Sequence, residues 1–225
     1  MGNSESKTEA AHEEHGVAEE ILDFWFGDGT ASWRNASEWD PLTQHLPMWM
    51  EKNDATDATI ALKFGKHIDR VLDGTYSHWS DASAPFDHKM AYILLGDQFC
   101  RNVHRNSATM YQADPLVLPL AKRLLHDKVQ MPLFQKFFVL LPLMHSESVE
   151  DQRECVAQFE TLLDAAKKAN EEAAVKFLTQ TLNYAVLHRD IVEQYGRFPH
   201  RNAILGRENT AEEAKGLADG TIRSF

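Results

Sequence analysis

Apolar residues recur at helical spacing along most of the chain, and no segment sustains the alternation of apolar and polar residues that is typical of a strand. The longest helical pattern runs from about Asp54 to Leu72, and two others run from Ser148 to about Asn170 and from Ala173 to about Tyr195. The short joint between the last two favours antiparallel neighbours. The sequence therefore predicts an all-α fold of stacked antiparallel helical hairpins, for which a repeat solenoid is one arrangement.

Proline and capping residues mark the starts of several predicted helices. Pro85, Asp114-Pro115 and Pro132 each introduce an apolar helical stretch, and Asp40-Pro41 predicts a second helix early in the chain. Thr210 and Glu213 form a Ser/Thr-x-x-Glu capping box, which predicts a short last helix. The aromatic residues of "DFWF" and "SEWDPLTQHLPMWM" lie at helical spacing, and we expect them in the core.

Size and charge limit the classes of protein that this chain suits. Its 225 residues predict a disordered acidic tail over 1–16 and a single helical domain over 17–225. A net charge of -11 argues against nucleic acid as a partner, and the apolar runs are too short for a transmembrane span. Two distant cysteines fit free thiols in a reducing compartment, so we expect a cytoplasmic protein.

The first residues, MGNSESK, match an N-myristoylation pattern in which Gly2 is the acceptor and Ser6 occupies the required position. This interpretation applies in a eukaryotic host, and a flexible tail is the alternative. One acyl chain gives only weak, reversible membrane contact, and acidic residues replace the basic patch that would strengthen it. The sequence thus predicts at most a peripheral membrane protein.

Three polar segments resemble the motifs of a known protein family. They read LLGDQFCRNVHR (Leu94 to Arg105), PLMHSESVEDQ (Pro142 to Gln152) and YGRFPHRNAILGR (Tyr195 to Arg207). In this order they resemble the motifs of the mainly bacterial domain-of-unknown-function family 924, over about Val17 to Phe225. The resemblance implies a compact all-helical fold similar to tetratricopeptide-repeat proteins, and it implies no activity.

The sequence departs from the family pattern at two positions beside Asp97. Cys100 stands where the family usually has proline, and Gly96 stands where an apolar residue is common. We therefore expect the local helix to differ here. Cys100 and His104 share a helical face near Arg101, but a buried inert thiol is the preferred interpretation.

The polar segments supply the candidate site, which combines cations, carboxylates and amides. Two interpretations stay open: the arginines clamp the C-terminal loop through Asp97, Glu147 or Asp190, or they form a pocket for a phosphate or carboxylate ligand. The candidate ligand-binding residues are Asp97, Arg101, His145, Glu147, Arg197, His200, Arg201 and Asn202.

General acid–base catalysis is the chemistry that suits these residues, with His145, Glu147 and His200 as catalytic candidates. A metal site using His145, His188 and Glu147 is an alternative, but His-x-Glu is not a distinctive ligand spacing. The chain lacks a nucleophile elbow, a phosphate-binding glycine loop and a dinucleotide fingerprint, so we expect no metal and no cofactor.

The leading hypothesis is a helical domain that binds a small anionic ligand. Its rival is a protein-interaction scaffold in which the polar cluster is structural.

Overall fold

A computed structural model describes residues 2–27 and 45–223, with side chains described from residue 12 onward, and within these ranges the chain is helical without a strand. The predicted all-α class is confirmed. A π-helix (Leu94–Phe99) joins α4 to α5, and 3-10 turns occur at Ser77–Ser80, Ala108–Tyr111 and Pro199–Arg201. The α-helices are α1 (Gly2–Phe26), α2 (Leu46–Met50), α3 (Asp54–Leu72), α4 (Phe86–Ile93), α5 (Cys100–Val103), α6 (Asp114–His126), α7 (Leu133–Met144), α8 (Val149–Ala169), α9 (Glu172–Tyr195), α10 (Asn202–Leu205) and α11 (Ala211–Ala218).

Capping residues set the ends of these helices largely as predicted. Pro85 and Pro132 stand at the N-caps of α4 and α7, and Thr210 and Glu213 form the predicted capping box of α11. Asn53 caps α3 by accepting hydrogen bonds from two backbone amides of its first turn. The predicted start at Asp40-Pro41 lies outside the described residues.

Helix α1 begins at Gly2, so the backbone of the segment predicted to be a disordered tail is helical in this structure. The middle of this helix contacts the rest of the fold, because the Glu14 carboxylate accepts hydrogen bonds from Trp79 and His78. The carboxylate thereby ties α1 to the 3-10 turn that precedes α4. No helix in the described ranges has both the length and the apolar composition that crossing a membrane requires.

Of the aromatic side chains predicted for the core, Trp25, Phe26 and Trp49 are buried and Phe24 is half-buried against them, while Trp39 lies outside the described residues. Trp25 lies against the rings of Phe99 and Phe138 with centroid distances of 5.1 and 5.8 Å, and Trp49 packs on Phe138 at 5.0 Å. These contacts join α1, α2, the π-helix and α7. Helices α8 and α9 pack along one another across a two-residue joint, as predicted, and α7 packs on α8. The tetratricopeptide-like description remains a prediction.

Gly96 explains how the π-helix approaches α6. A Cβ atom at this position would lie 2.5 Å from Cγ1 of Val117 and 3.2 Å from the Cβ of Ala113. Only glycine therefore permits the observed spacing, and the segment around Asp97 is a π-helix. A local difference from the rest of the family remains a prediction. The close approach brings the first turn of α6 next to α5, where the charged side chains of the candidate site lie.

Candidate functional site

Asp97 and His145 form a buried hydrogen-bonded pair. Asp97 projects from the π-helix, its side chain is 1% exposed, and its Oδ1 accepts a hydrogen bond of 2.7 Å from Nδ1 of His145, the residue that ends α7. Gln98 donates to the other carboxylate oxygen at 2.6 Å. Burial favours the neutral acid, but His145, Arg101 and Gln98 outweigh it and lower the pKa of Asp97 to about 2. The carboxylate is therefore ionised.

Arg101 connects this pair to a second carboxylate. Its Nη1 lies 3.2 Å from Oδ1 of Asp97, which confirms the predicted contact between residues four apart on one helical face. Its Nη2 donates to Oδ2 of Asp114 at 2.9 Å and lies 2.8 Å from Oδ1 of the same residue. Asp114 is the first residue of α6, so Arg101 ties this helix to α5.

Arg201 lies beside these groups with few polar partners. Its side chain is 8% exposed, and its guanidinium carbon lies 4.3 Å from the ring centroid of Phe198 and 4.6 Å from that of Tyr111. Nη2 donates to the backbone oxygen of His145 at 3.0 Å, and Nη1 lies 3.8 Å from Asp114. Its Nε is buried and makes no hydrogen bond to any residue that the structure describes. Asp97, Arg101, Asp114, His145 and Arg201 are called the buried cluster below.

Burial and neighbouring charges set the protonation states of the buried cluster. Burial, assisted by Arg101, lowers the pKa of His145 although Asp97 acts in the opposite direction. When the neutral imidazole of His145 donates from Nδ1 to Asp97, its Nε2 carries a lone pair and no proton. A general base needs this form. Burial raises the pKa of Asp114, and burial together with the nearby Arg101 lowers that of Arg201.

A separate network clamps the C-terminal loop and contains three of the predicted site residues, Arg197, Glu147 and Asn202. Arg197 donates from Nε and Nη2 to the two carboxylate oxygens of Glu213 at 2.7 and 2.8 Å. Arg207 donates from Nη1 and Nη2 to Glu147 at 2.6 and 2.9 Å, and from Nε to Asn202. Arg197, Arg207, Glu147, Asn202 and Glu213 are called the brace below. Each arginine in the brace is saturated by a bidentate carboxylate.

Two further predicted histidines lie beside the cluster, His188 buried and His200 half-buried. The rings of His188 and His200 both lie 5.5 Å from that of Phe198, and His188 lies 6.4 Å from His145. Burial is the main cause that lowers the pKa of His188 to about 3 and that of His200 to about 4. Both rings are therefore neutral near pH 7.

Other polar residues of the first motif have partners outside the buried cluster. Arg105 forms a bidentate pair with Asp57 of α3, which also accepts a hydrogen bond from Asn102. Cys100 is buried as expected, its thiol donates to the backbone oxygen of Thr109, and burial raises its pKa to about 11. Within the described ranges, no group of three or more histidine, cysteine, aspartate or glutamate side chains has the arrangement of a metal site.

Three residues around Arg201 were not predicted from the sequence as members of the site. Asp114 was interpreted only as a helix start, because an acid before proline is a common capping signal. Tyr111 and Phe198, which enclose Arg201, carry no local signal that separates them from other aromatic residues. Sequence spacing was informative only for Asp97 and Arg101, since the other contacts join residues that are distant in the chain.

The fold and the site together define a class of all-helical proteins that carry a buried Asp–His–Arg cluster beside an arginine-clamped C-terminal loop. The family model described as "Bacterial protein of unknown function (DUF924)" matches residues 21–221. The chain belongs to this family, as the three motifs predicted.

A solved structure of a protein of unknown function from Agrobacterium tumefaciens is similar to this chain. It is 29% identical, has a TM-score of 0.61, and the match covers 92% of this chain and 99% of that one. No curated protein matches the sequence.

Proposed function

We propose that the buried cluster binds a small anionic ligand and that Arg201 is its principal contact. The observation that carries this proposal is the unpartnered Nε of Arg201, a cationic donor held in a side chain that is only 8% exposed. Buried donors without a partner are uncommon and costly in native proteins, so such a group needs an explanation. A ligand oxygen at this nitrogen supplies one.

The brace supports this assignment by contrast. Arg197 uses Nε and Nη2 to hold the Glu213 carboxylate, and in Arg201 the same two nitrogens hold only the backbone oxygen of His145. The alternative, in which every arginine of the motifs is structural, accounts well for Arg197 and Arg207. It leaves the buried Nε of Arg201 unexplained.

His145 is our candidate for acid–base chemistry on the bound ligand. Its Nδ1–H donates to Asp97, which orients the ring and fixes the tautomer, and its side chain is 19% exposed. Its Nε2 makes no hydrogen bond to a described residue and is available for a ligand proton. Arg101 and Arg201 would stabilise negative charge that develops on the ligand. Glu147 is committed to Arg207, so we assign it to the brace instead.

A thermal-shift screen against phosphate esters and carboxylates tests the proposal, because a ligand that binds only the native state raises the melting temperature. We expect at least one anion to stabilise the wild-type protein, and we expect Arg201→Ala to lose that stabilisation. Arg207→Ala is the matched control, since it removes a brace arginine and should keep the anion-induced shift. If no anion shifts the wild type, the binding proposal fails and the scaffold alternative gains support.

We also propose that Gly2 is N-myristoylated in a eukaryotic host, which would give weak and reversible membrane contact. The MGNSES pattern supports this assignment. Feeding expressing cells an alkyne analogue of myristate should label the wild type and leave Gly2→Ala unlabelled. Equal labelling of both proteins, or labelling of neither, would contradict the assignment.

A further inference from the structure

The charges of the buried cluster nearly cancel before any ligand binds. Asp97 and Asp114 supply two negative charges, Arg101 and Arg201 supply two positive charges, and burial favours a neutral His145. Adding an anion would leave one uncompensated negative charge in a region where the most exposed of these side chains, Asp114, is only 23% exposed. Burying an unpaired charge is strongly unfavourable. Binding therefore requires a compensating positive charge.

We propose that the anion binds together with one proton and that Asp114 is the residue that takes up this proton. The inference rests on the proposed function, because it concerns the same anion site. Protonated Asp114 then contacts the ligand directly. The ligand belongs to a class of anions that bind more tightly at lower pH.

The contacts of Asp114 favour it over Asp97, the other carboxylate of the cluster, as the group that takes up the proton. Its Oδ1 is buried and receives no well-aligned hydrogen bond, although Arg101 lies close to it. Its Oδ2 accepts one hydrogen bond, from Nη2 of Arg101, and lies 3.8 Å from Nη1 of Arg201, too far for a second one. By comparison, Asp97 accepts hydrogen bonds from His145 and Gln98, and protonation would disrupt them. A proton on Asp114 disturbs less of the existing network.

An anion on Arg201 would place a second negative group beside the Asp114 carboxylate. Two carboxylates that share a site cannot both ionise readily, so the pKa of one rises. Protonated Asp114 would also become a hydrogen-bond donor to the ligand. The charged and titratable groups around it include Arg101 and Cys100 from α5, Asp97 from the π-helix, His145 from the end of α7 and Arg201 from the 3-10 turn.

In the unliganded protein, burial and Asp97 already raise the pKa of Asp114, while Arg101, His145 and Arg201 oppose them. A bound anion would engage Arg201 and so weaken one of the opposing influences. Both effects act in the direction of proton uptake.

Calorimetric titration with benzoate and acetate tests the inference, because these carboxylates titrate near pH 4 and stay ionised from about pH 6 to about pH 8. Measurements in buffers with different ionisation enthalpies count the protons taken up on binding. For the wild type near neutral pH we expect about one proton for each bound carboxylate and a Kd that weakens about tenfold for each unit of rising pH. Asp114→Asn should bind without proton uptake and with a Kd that does not vary with pH.

The outcomes separate this inference from the proposed function. Binding to the wild type without proton uptake overturns the inference and leaves the anion site intact. Uptake that persists in Asp114→Asn and disappears in His145→Asn assigns the proton to His145, which also overturns it. The absence of binding by benzoate, acetate and inorganic phosphate at every pH overturns the anion site, and the inference fails with it. The proton count uses the wild-type protein, so it does not depend on the folding of a variant.

Discussion

Arg197 and Arg201 lie four residues apart, and their guanidinium groups have opposite environments. Arg197 is saturated by both oxygens of Glu213, and Arg201 lies between the rings of Tyr111 and Phe198 with its Nε unbonded. The 3-10 turn at Pro199–Arg201 lies between the two residues, and their side chains point in different directions. Arg197 therefore joins the brace and Arg201 enters the buried cluster. The same short motif thus supplies a structural arginine and a candidate binding arginine.

Removing one partner of the brace should destabilise the protein. Arg207→Met would leave the Glu147 carboxylate, which is 28% exposed, without its bidentate partner. We expect a loss of about 2 kcal/mol in the free energy of unfolding, below the value for a fully buried pair because solvent screens part of the charge. Urea denaturation measures this loss. Arg189→Met, which removes an exposed pair with Asp190, is the control and should cost less than about 0.5 kcal/mol.

If the charge of Glu147 causes that loss, the double variant Arg207→Met, Glu147→Gln should recover part of it. A double variant as unstable as the sum of the two single variants would contradict a direct pair.

Gly96→Ala should strain the contact between the π-helix and α6. The added methyl group would lie 2.5 Å from Val117, and overpacking of this kind costs about 1–3 kcal/mol. Thermal or urea unfolding measures the effect, and Val117→Ala in the same chain should relieve part of it. Gly65→Ala is the matched control, because it lies within α3 with open space around it, and it should be neutral or stabilising. Equal effects at Gly96 and Gly65 would refute the packing argument.

The pKa of His145 should respond in opposite directions to its two charged neighbours. Its pKa lies below the ordinary value of 6.5, Asp97 raises it and Arg101 lowers it. Asp97→Asn should therefore lower the pKa further, and Arg101→Met should raise it. Nuclear magnetic resonance of the imidazole nitrogens as a function of pH measures both shifts. Shifts of the same sign would show that the two residues do not act on His145 through their charges.

His188 should make the protein less stable in acid. Its pKa in the folded protein is about 3, so between about pH 6.5 and about pH 3 the unfolded chain binds a proton that the folded chain does not. Stability therefore falls as the pH decreases through this range, by up to roughly 5 kcal/mol from this residue. His188→Phe keeps a ring against Phe198 and does not titrate, so its stability should fall less with acid. Identical pH dependence of unfolding in both proteins would contradict this role.

Local signals were sufficient to predict most of the helices. The periodic stretch over Asp54–Leu72 and the capping box at Thr210 and Glu213 are both observed, because each depends on residues close together in sequence. The π-helix was not specified in advance, and the close approach of its Gly96 to Val117 on another helix is a long-range contact that local patterns do not encode. Gly96 itself was recognised only as a departure from the family pattern.

The composition of the candidate site was predictable, and its pairing was not. Asp97, Arg101, His145 and Arg201 were all named from the motifs. The partner of Arg197 was missed because Glu213 already had a local explanation as a capping residue, and Asp114 was missed for the same reason. A carboxylate with a local role gives no sequence signal for a second, long-range partner.

The most direct test of the account compares carboxylate binding to Arg201→Lys and Arg197→Lys by calorimetric titration with benzoate. Both substitutions keep the charge and remove the planar fork of donors. We expect Arg197→Lys to bind as the wild type does and Arg201→Lys to bind at least about tenfold more weakly, because a lysine has no donor that replaces Nε at that position. Equal affinities of the two variants, or a greater loss in Arg197→Lys, would contradict the assignment of Arg201 as the anion contact.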